Sequence, residues 1–368
     1  MKNIFKSRLF GIIAFAGFIA FSLTACGGGG GGGGMAGDGS SGNPYMISNA
    51  TQLQKLAEEV NGGDDKQGVF YKLARNIDLS AYSAGAGWMP IGDSGNPFRG
   101  TFDGDYKVIS GLAINTTSGF AGLFGQIENA TVENLGVEIA VAGITGGNDV
   151  GAVAGYVALG STVHNCYATG NVTGNNNVGG VAGYVSSAVV TNCYATGNVT
   201  GGDYVGGVAG EINGGGDVTN CYATGNVTGN GRVGGVAGEV YNGSSVSNCS
   251  ALNPAIARVA TSSNTTFGRV AGSTYAGSIL TNNVAFEDMD LNDLTGGALA
   301  FGTGAPGNKD GADIAAGAGA GQYNNPASYS DPVDPGGFDG TAGKGLGWDL
   351  TSVWKWGAAS NLPILYWQ

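Results

Sequence analysis

The chain has 368 residues, of which 73 are glycine, 42% apolar and 11% charged, with a formal net charge of -12. That acidity argues against nucleic acid as a partner, and so much glycine would mean disorder if a repeat did not space it. The single histidine, His164, excludes any metal or protease signature that needs two.

Residues 1–25 read as an export leader: Lys2, Lys6 and Arg8 form a basic start, and the apolar run from Leu9 to Leu23 is too short for a comfortable membrane span. Leu23-Thr24-Ala25-Cys26 resembles the lipobox of bacterial lipoproteins. The resemblance implies cleavage before Cys26, lipidation of Cys26 and attachment to a membrane through that lipid. Residues 26–41 then form a glycine-rich tether. Gly27 is not the aspartate that retains many lipoproteins in the inner membrane, so the expected location is the bacterial cell envelope, at the outer membrane of a diderm.

Folded sequence is expected from residue 42. Ser48 or Asn49 can cap a helix over Ala50 to Val60, with Leu53, Leu56, Ala57 and Val60 on one stripe and Asn61-Gly62-Gly63 ending it. Its expected task is to cover the unpaired edge of a first coil; the alternative is a partner-binding helix. Tyr71-Lys72-Leu73 and Asn76-Ile77-Asp78-Leu79 alternate as half-buried strands do.

The chain is organised around Val178 to Gly238. VGGVAGYV followed by VTNCYATGNVTG returns from Val205 and, shortened, from Val233, and Cys166, Cys193, Cys221 and Cys249 mark a period of 27, 28 and 28 residues. A period of this size belongs to a stacked architecture in which no unit buries its own apolar face, and it is too short for a propeller blade of about 40 residues. The predicted fold is all-β: a right-handed parallel β-solenoid of about eight coils over residues 42–290, with the helix as its N-terminal cap. Residues 291–346 read as a low-complexity Gly/Ala-rich excursion. Residues 347–368, with Trp348, Trp354, Trp356 and Trp367, read as an aromatic C-terminal cap plugging the last coil, where Pro363 limits further pairing.

Pro90-Ile91-Gly92, Gly100-Thr101-Phe102-Asp103-Gly104 and Ile109-Ser110-Gly111-Leu112 resemble the entry segment of bacterial surface proteins with GLUG repeats. Gly122-Leu123-Phe124-Gly125 matches the motif itself, and Gly180-Val181-Ala182-Gly183, Gly207-Val208-Ala209-Gly210 and Gly235-Val236-Ala237-Gly238 are variants of it. The resemblance implies an adhesin-like or surface-structural role. Some such proteins also resemble immunoglobulin-cleaving metallopeptidases, whose module is missing here.

Aligned copies place Asn134, Asn165, Asn192, Asn220, Asn248 and Asn282 at one corner, where stacked amides pass hydrogen bonds between coils and tolerate tight backbone. Parity then sends Cys166, Cys193, Cys221 and Cys249 inward. Buried free thiols are expected because side chains on adjacent parallel rungs point the same way, with one or two disulfides as the alternative; the absence of CxxC spacing speaks against metal. Outward columns are formed by Tyr167, Tyr194 and Tyr222; by Thr169, Thr196 and Thr224; by Asn171, Asn198 and Asn226; and by Thr173, Thr200 and Thr228. These aromatic, amide and hydroxyl groups are the candidate ligand face for a glycan or for a host or neighbour-cell protein.

No catalytic residue, metal or cofactor is expected. Glu211 and Glu239 occupy equivalent positions on neighbouring coils, about 5 Å apart, the spacing of a retaining glycosidase pair. Gln126, Tyr156, Tyr184 and Ser273 hold the same position elsewhere, which favours a solvated, variable face. Glu287, Asp288, Asp290 and Asp293 read as a solvated loop, with calcium as the alternative. The functional reading is a lipid-anchored cell-surface binding or scaffold protein. A carbohydrate-active enzyme on a β-helix and a purely structural envelope component are the alternatives. Arg232, the only lysine or arginine from Val150 to Cys249, speaks against a polysaccharide lyase.

Overall fold

The computed structural model describes residues 34–259, 266–293 and 308–314, together with 346, 348, 352, 354–356, 362–366 and 368. The leader, Cys26 and most of the Gly/Ala-rich stretch lie outside the described residues.

The repeat folds into a parallel β-solenoid. In the coil that starts at Val189 there are five short strands: Val189–Thr191, Tyr194–Ala195, Val199–Thr200, Asp203–Gly206 and Ala209–Asn213. Each pairs in parallel with its equivalent one coil on, so that Val190 faces Val218, Tyr194 faces Tyr222, Val199 faces Val227, Val205 faces Val233 and Ala209 faces Ala237. Five walls result, numbered first to fifth in chain order. Among the described residues the first wall has nine rungs, starting at Tyr45, Phe70, Thr101, Thr131, Thr162, Val189, Asp217, Ser245 and Ile279. The rung that the repeat did not announce is Tyr45–Ile47, which precedes the helix.

The interior is narrow and filled by stacked small apolar side chains. Val132, Val163, Val190, Val218 and Val246 are fully buried on one inner column, and Val153, Val181, Val208, Val236 and Val270 on another. β-branched side chains suit such a lumen because their restricted χ1 already fits a pleated surface. At the corner after the first wall, every predicted asparagine adopts the left-handed conformation, with φ 53° or 54° from Asn134 to Asn282. Its amide reaches the preceding coil: Asn165 donates to Asn134 at 3.1 Å, Asn192 to Asn165 at 3.2 Å, Asn220 to Asn192 at 3.1 Å and Asn282 to Asn248 at 2.9 Å.

The second glycine of each Gly-Val-Ala-Gly run has a different cause. A Cβ on Gly210 would lie 2.4 Å from the carbonyl carbon of Asn177, and one on Gly238 would lie 2.5 Å from that of Tyr204. The fifth wall thus rests directly on the corner backbone of the coil before it, and only glycine leaves room.

The helix Ala50–Asn61 is capped by Asn49, whose Oδ1 accepts the Gln52 N–H at 2.9 Å, while Gln52 accepts the Ser48 N–H at 2.7 Å. Leu53, Leu56, Ala57 and Val60 are buried in the same core as the first rungs. Asn61 ties the helix end to the next segment, donating to the Pro90 carbonyl at 3.0 Å and accepting from Gly92 N–H at 2.8 Å.

Two expectations for the C-terminal third are corrected. Of the acidic cluster, Glu287 and Asp288 lie in an exposed turn as read, whereas Asp290–Asp293 is a strand paired with Ala255–Arg258 rather than part of a loop, and no cluster among the described residues could hold a metal ion through three or more His, Cys, Asp or Glu side chains. Within the Gly/Ala-rich stretch, Ala312–Ile314 pairs with Val284–Phe286 and extends the second wall by a rung. The open strand edge there needs only backbone partners, which low-complexity sequence can supply.

Replacing Asn220 by Ala is expected to destabilise the domain by about 1–2 kcal/mol, since it removes a rung of the amide ladder and leaves a Cβ residue at positive φ. Asn220→Gly should cost less, because glycine keeps the backbone unstrained. Denaturant midpoints of the two variants check this, and equal losses would contradict the backbone half of the argument.

Candidate functional site

The tyrosine column forms as predicted but does not face solvent. Tyr167, Tyr194 and Tyr222 stack with ring centroids 5.3 and 4.8 Å apart and planes within 10° and 3°, yet they are only 5%, 4% and 1% exposed. The C-terminal segment covers them. Trp354 lies 6.2 Å from the Tyr194 ring and 5.9 Å from that of Tyr222, and Trp348 lies 6.1 Å from Tyr222. The Tyr222 hydroxyl donates to the Pro363 carbonyl at 2.7 Å, Tyr194 donates to Gln368 Oε1 at 2.8 Å, and Trp348 Nε1 donates to the Asn248 carbonyl at 2.8 Å. Trp354–Trp356 pairs antiparallel with Pro363–Leu365 to complete the cover.

Two expectations change together: the tyrosines are not an open ligand face, and the aromatic C-terminal segment lies along the second wall. The physical reason is the patch itself. A stack of three aromatic rings is a large apolar surface, and the chain's own indoles bury it. Burial pushes the Tyr167 and Tyr194 phenols above their usual range.

The threonine and asparagine columns remain accessible around the third wall. Asn171, Asn198 and Asn226 are exposed, as are Thr173, Thr196 and Thr200, while Thr169, Thr224 and Thr228 are half-buried. The asparagines also brace the coils: the Asn198 N–H donates to Asn171 Oδ1 at 3.1 Å and the Asn226 N–H to Asn198 Oδ1 at 2.9 Å. Hydroxyls and amide N–H groups are left pointing outward.

The groups with catalytic potential are tied down. His164 Nε2 lies 2.9 Å from Glu133. All four core cysteines are free and buried, and burial pushes the thiols of Cys193, Cys221 and Cys249 well up, which disfavours a thiolate. Glu211 and Glu239 face each other across adjacent rungs, but Glu239 is only 6% exposed. This corrects the expectation of a solvated face. Arg232 Nε contacts Glu239 at 2.7 Å, an ion pair whose angles are not those of an aligned hydrogen bond. Asn213 donates to Glu211 at 3.0 Å. Burial pushes both carboxyls above the usual range.

One outward column escaped the sequence reading. At the corner leading into the fourth wall, Phe120, Asp149, Asn177, Tyr204 and Arg232 all hold positive φ, between 50° and 60°. Their side chains meet those of the fifth wall: Phe120 stacks on Tyr156 at 6.2 Å, Tyr156 contacts Tyr184 at 4.8 Å, and the Arg232 guanidinium sits 4.7 Å above the Tyr204 ring. The only sequence signal is position within the period, because five unlike residues share it.

Among known proteins, the GLUG motif family matches residues 174–200, 201–228 and 229–257. A "Putative Gly-rich membrane protein" of Evansella cellulosilytica is 41% identical over 103 residues, which are 27% of this chain and 11% of that protein. The halomucin of Haloquadratum walsbyi is 32% identical over 146 residues, 36% of this chain and 2% of that protein. The chain therefore spans a small part of both relatives. A solved structure described as a putative immunoglobulin A1 protease from Bacteroides ovatus is 24% identical, with a TM-score of 0.64, over 92% of this chain and 96% of that one. That likeness is one of fold.

Deleting residues 346–368 is expected to uncover Tyr194 and bring its phenol down towards the ordinary value near 10, read by ultraviolet difference titration. An unchanged titration would refute the cover. The intact domain should lose stability in strong alkali. Burial pushes Tyr71 and Tyr184 up to about 12. With folded values above unfolded ones, their contribution is full below about pH 10 and is lost as pH rises towards 12.

Proposed function

We propose that this GLUG-repeat solenoid is a binding or scaffold protein of the bacterial cell envelope, adhesin-like, with the third wall as a recognition surface for a glycan or a protein. The observation that carries the reading is the contrast between walls. Asn171, Thr173, Asn198, Thr200 and Asn226 form an exposed, regular array at a rung spacing of about 4.8 Å. His164, the cysteines and Glu239, which catalysis would need free, are paired or buried. A flat grid of hydroxyl and amide groups offers many neutral hydrogen bonds and low affinity per contact, which suits multivalent surface recognition. The relative named as a Gly-rich membrane protein supports an envelope location, as does the lipobox-like Leu23-Thr24-Ala25-Cys26, with the outer membrane as the proposed site of anchoring.

Two experiments test this. On an array of glycans and matrix proteins, the leaderless protein should bind, and Thr173→Lys/Thr200→Lys should abolish that binding by placing two cations on the wall; a well-folded protein that binds nothing would favour a purely structural role. For the anchor, Cys26→Ala should move the protein from the membrane fraction to the soluble one. Continued membrane retention would contradict lipidation at Cys26.

A further inference from the structure

We infer that the ledge running from the cavity beside Phe120 along the fifth wall to Glu211 is a binding site for a neutral oligosaccharide. The inference rests on the same view of the chain as a binding protein, but on a different wall and different residues.

The corner column is left-handed in five successive coils, and asparagine or aspartate tolerate that conformation, as Asn177 and Asp149 do. Phe120, at φ 59°, has neither a small side chain nor a local hydrogen bond to favour it. A bulky ring held in a strained backbone at the molecular surface points to a use for the ring.

Phe120 is the end ring of the Phe120–Tyr156–Tyr184 series, and it lines a cavity of about 450 Å³ together with Trp88, Met89, Asn61 and Thr116. That volume lies in the range of small-molecule sites. The walls are preformed: Asn61 is clipped to Pro90 and Gly92, and Trp88 Nε1 donates to the Leu123 carbonyl at 3.1 Å.

Phe120 and the exposed Met89 offer apolar surface to the C–H face of a pyranose, and Asn61 and Thr116 offer polar edges. Further along the ledge, two carboxylate–amide pairs present acceptors suited to sugar hydroxyls: Asp149 with Asn177 at 2.7 Å and Glu211 with Asn213 at 3.0 Å. The Tyr184 hydroxyl stands beside them, accepting from Asn213 at 3.1 Å. The described cavity lining contains no lysine, arginine or histidine. Asp93 lines the cavity and Asp149 and Glu211 lie along the ledge, while Arg232 at its far end is held against Glu239, so a sulfated or uronic chain would be repelled, which leaves neutral sugars.

The test is calorimetric titration with cellohexaose, laminarihexaose and fully N-acetylated chitohexaose, and with a heparin hexasaccharide as the anionic comparison. At least one neutral hexasaccharide should bind and the heparin fragment should not. Phe120→Gly relieves the left-handed strain, so it should stay folded, with a melting temperature within about 5 °C of the parent. It should nevertheless weaken binding about tenfold or more, as should Tyr184→Ala, while Thr173→Lys/Thr200→Lys should leave this binding intact. The proposal is overturned if no neutral hexasaccharide binds, if both ledge variants bind as the parent does, or if the heparin fragment is preferred. Loss of array binding in the third-wall variant with hexasaccharide binding retained would separate the two surfaces.

Discussion

The solenoid depends on one interaction, the amide-to-amide hydrogen bond between asparagines stacked at the left-handed corner. Asparagine is the residue that can both occupy φ near 53° and carry a donor and an acceptor along the stacking axis. The ladder holds although the coils differ in length: its links span 31, 27, 28 and 34 residues. Extra residues are therefore accommodated between corners, and the parity after each corner is preserved. A slip of one residue would turn the inner valines and cysteines outward, so register and burial enforce each other.

The cysteine column shows how the interior of that corner is satisfied. The Cys193 N–H points at Cys221 Sγ at 3.4 Å, and the Cys221 N–H at Cys249 Sγ at the same distance. Each thiol in turn lies 3.6 to 3.8 Å from a valine carbonyl of the preceding coil. Where the column ends, Asn283 takes the cysteine position and its Oδ1 accepts the Cys249 N–H at 2.9 Å. The common requirement is an acceptor for a buried backbone N–H. A small, polarisable thiol meets it without opening the core, which gives these cysteines a structural role independent of redox chemistry.

Features that repeat by residue type were legible in the sequence; features that repeat only by conformation, or that join distant segments, were not. The asparagine corner, the inward cysteines and the outward tyrosines follow from period and parity. The covering of Tyr194 and Tyr222 does not, because their partners Gln368 and Pro363 lie 174 and 141 residues downstream and belong to no repeat. Glu239 looked solvated because parity sends it outward, yet an Arg232 one corner away lies against it. The column of Phe120, Asp149, Asn177, Tyr204 and Arg232 was hidden for a deeper reason: its members share a backbone angle and no side-chain chemistry.

That difference also separates the two accessible surfaces. Duplication of a repeat spreads identical side chains along a wall, so the uniform Thr and Asn columns have a sufficient cause in copying and stacking. The corner into the fourth wall is copied in its backbone but not in its residues. At a position where Asn or Asp relieve strain, the chain carries Phe, Tyr and Arg in three of the five coils, and Gly183, Gly210 and Gly238 keep the next coil's backbone packed directly against that column. Divergence against the conformational preference is not what copying produces. It requires a term that favours the side chains themselves: for Tyr204 and Arg232 the structure supplies it in their mutual contact and in the ion pair to Glu239, whereas Phe120 has one ring partner on one side and a cavity on the other.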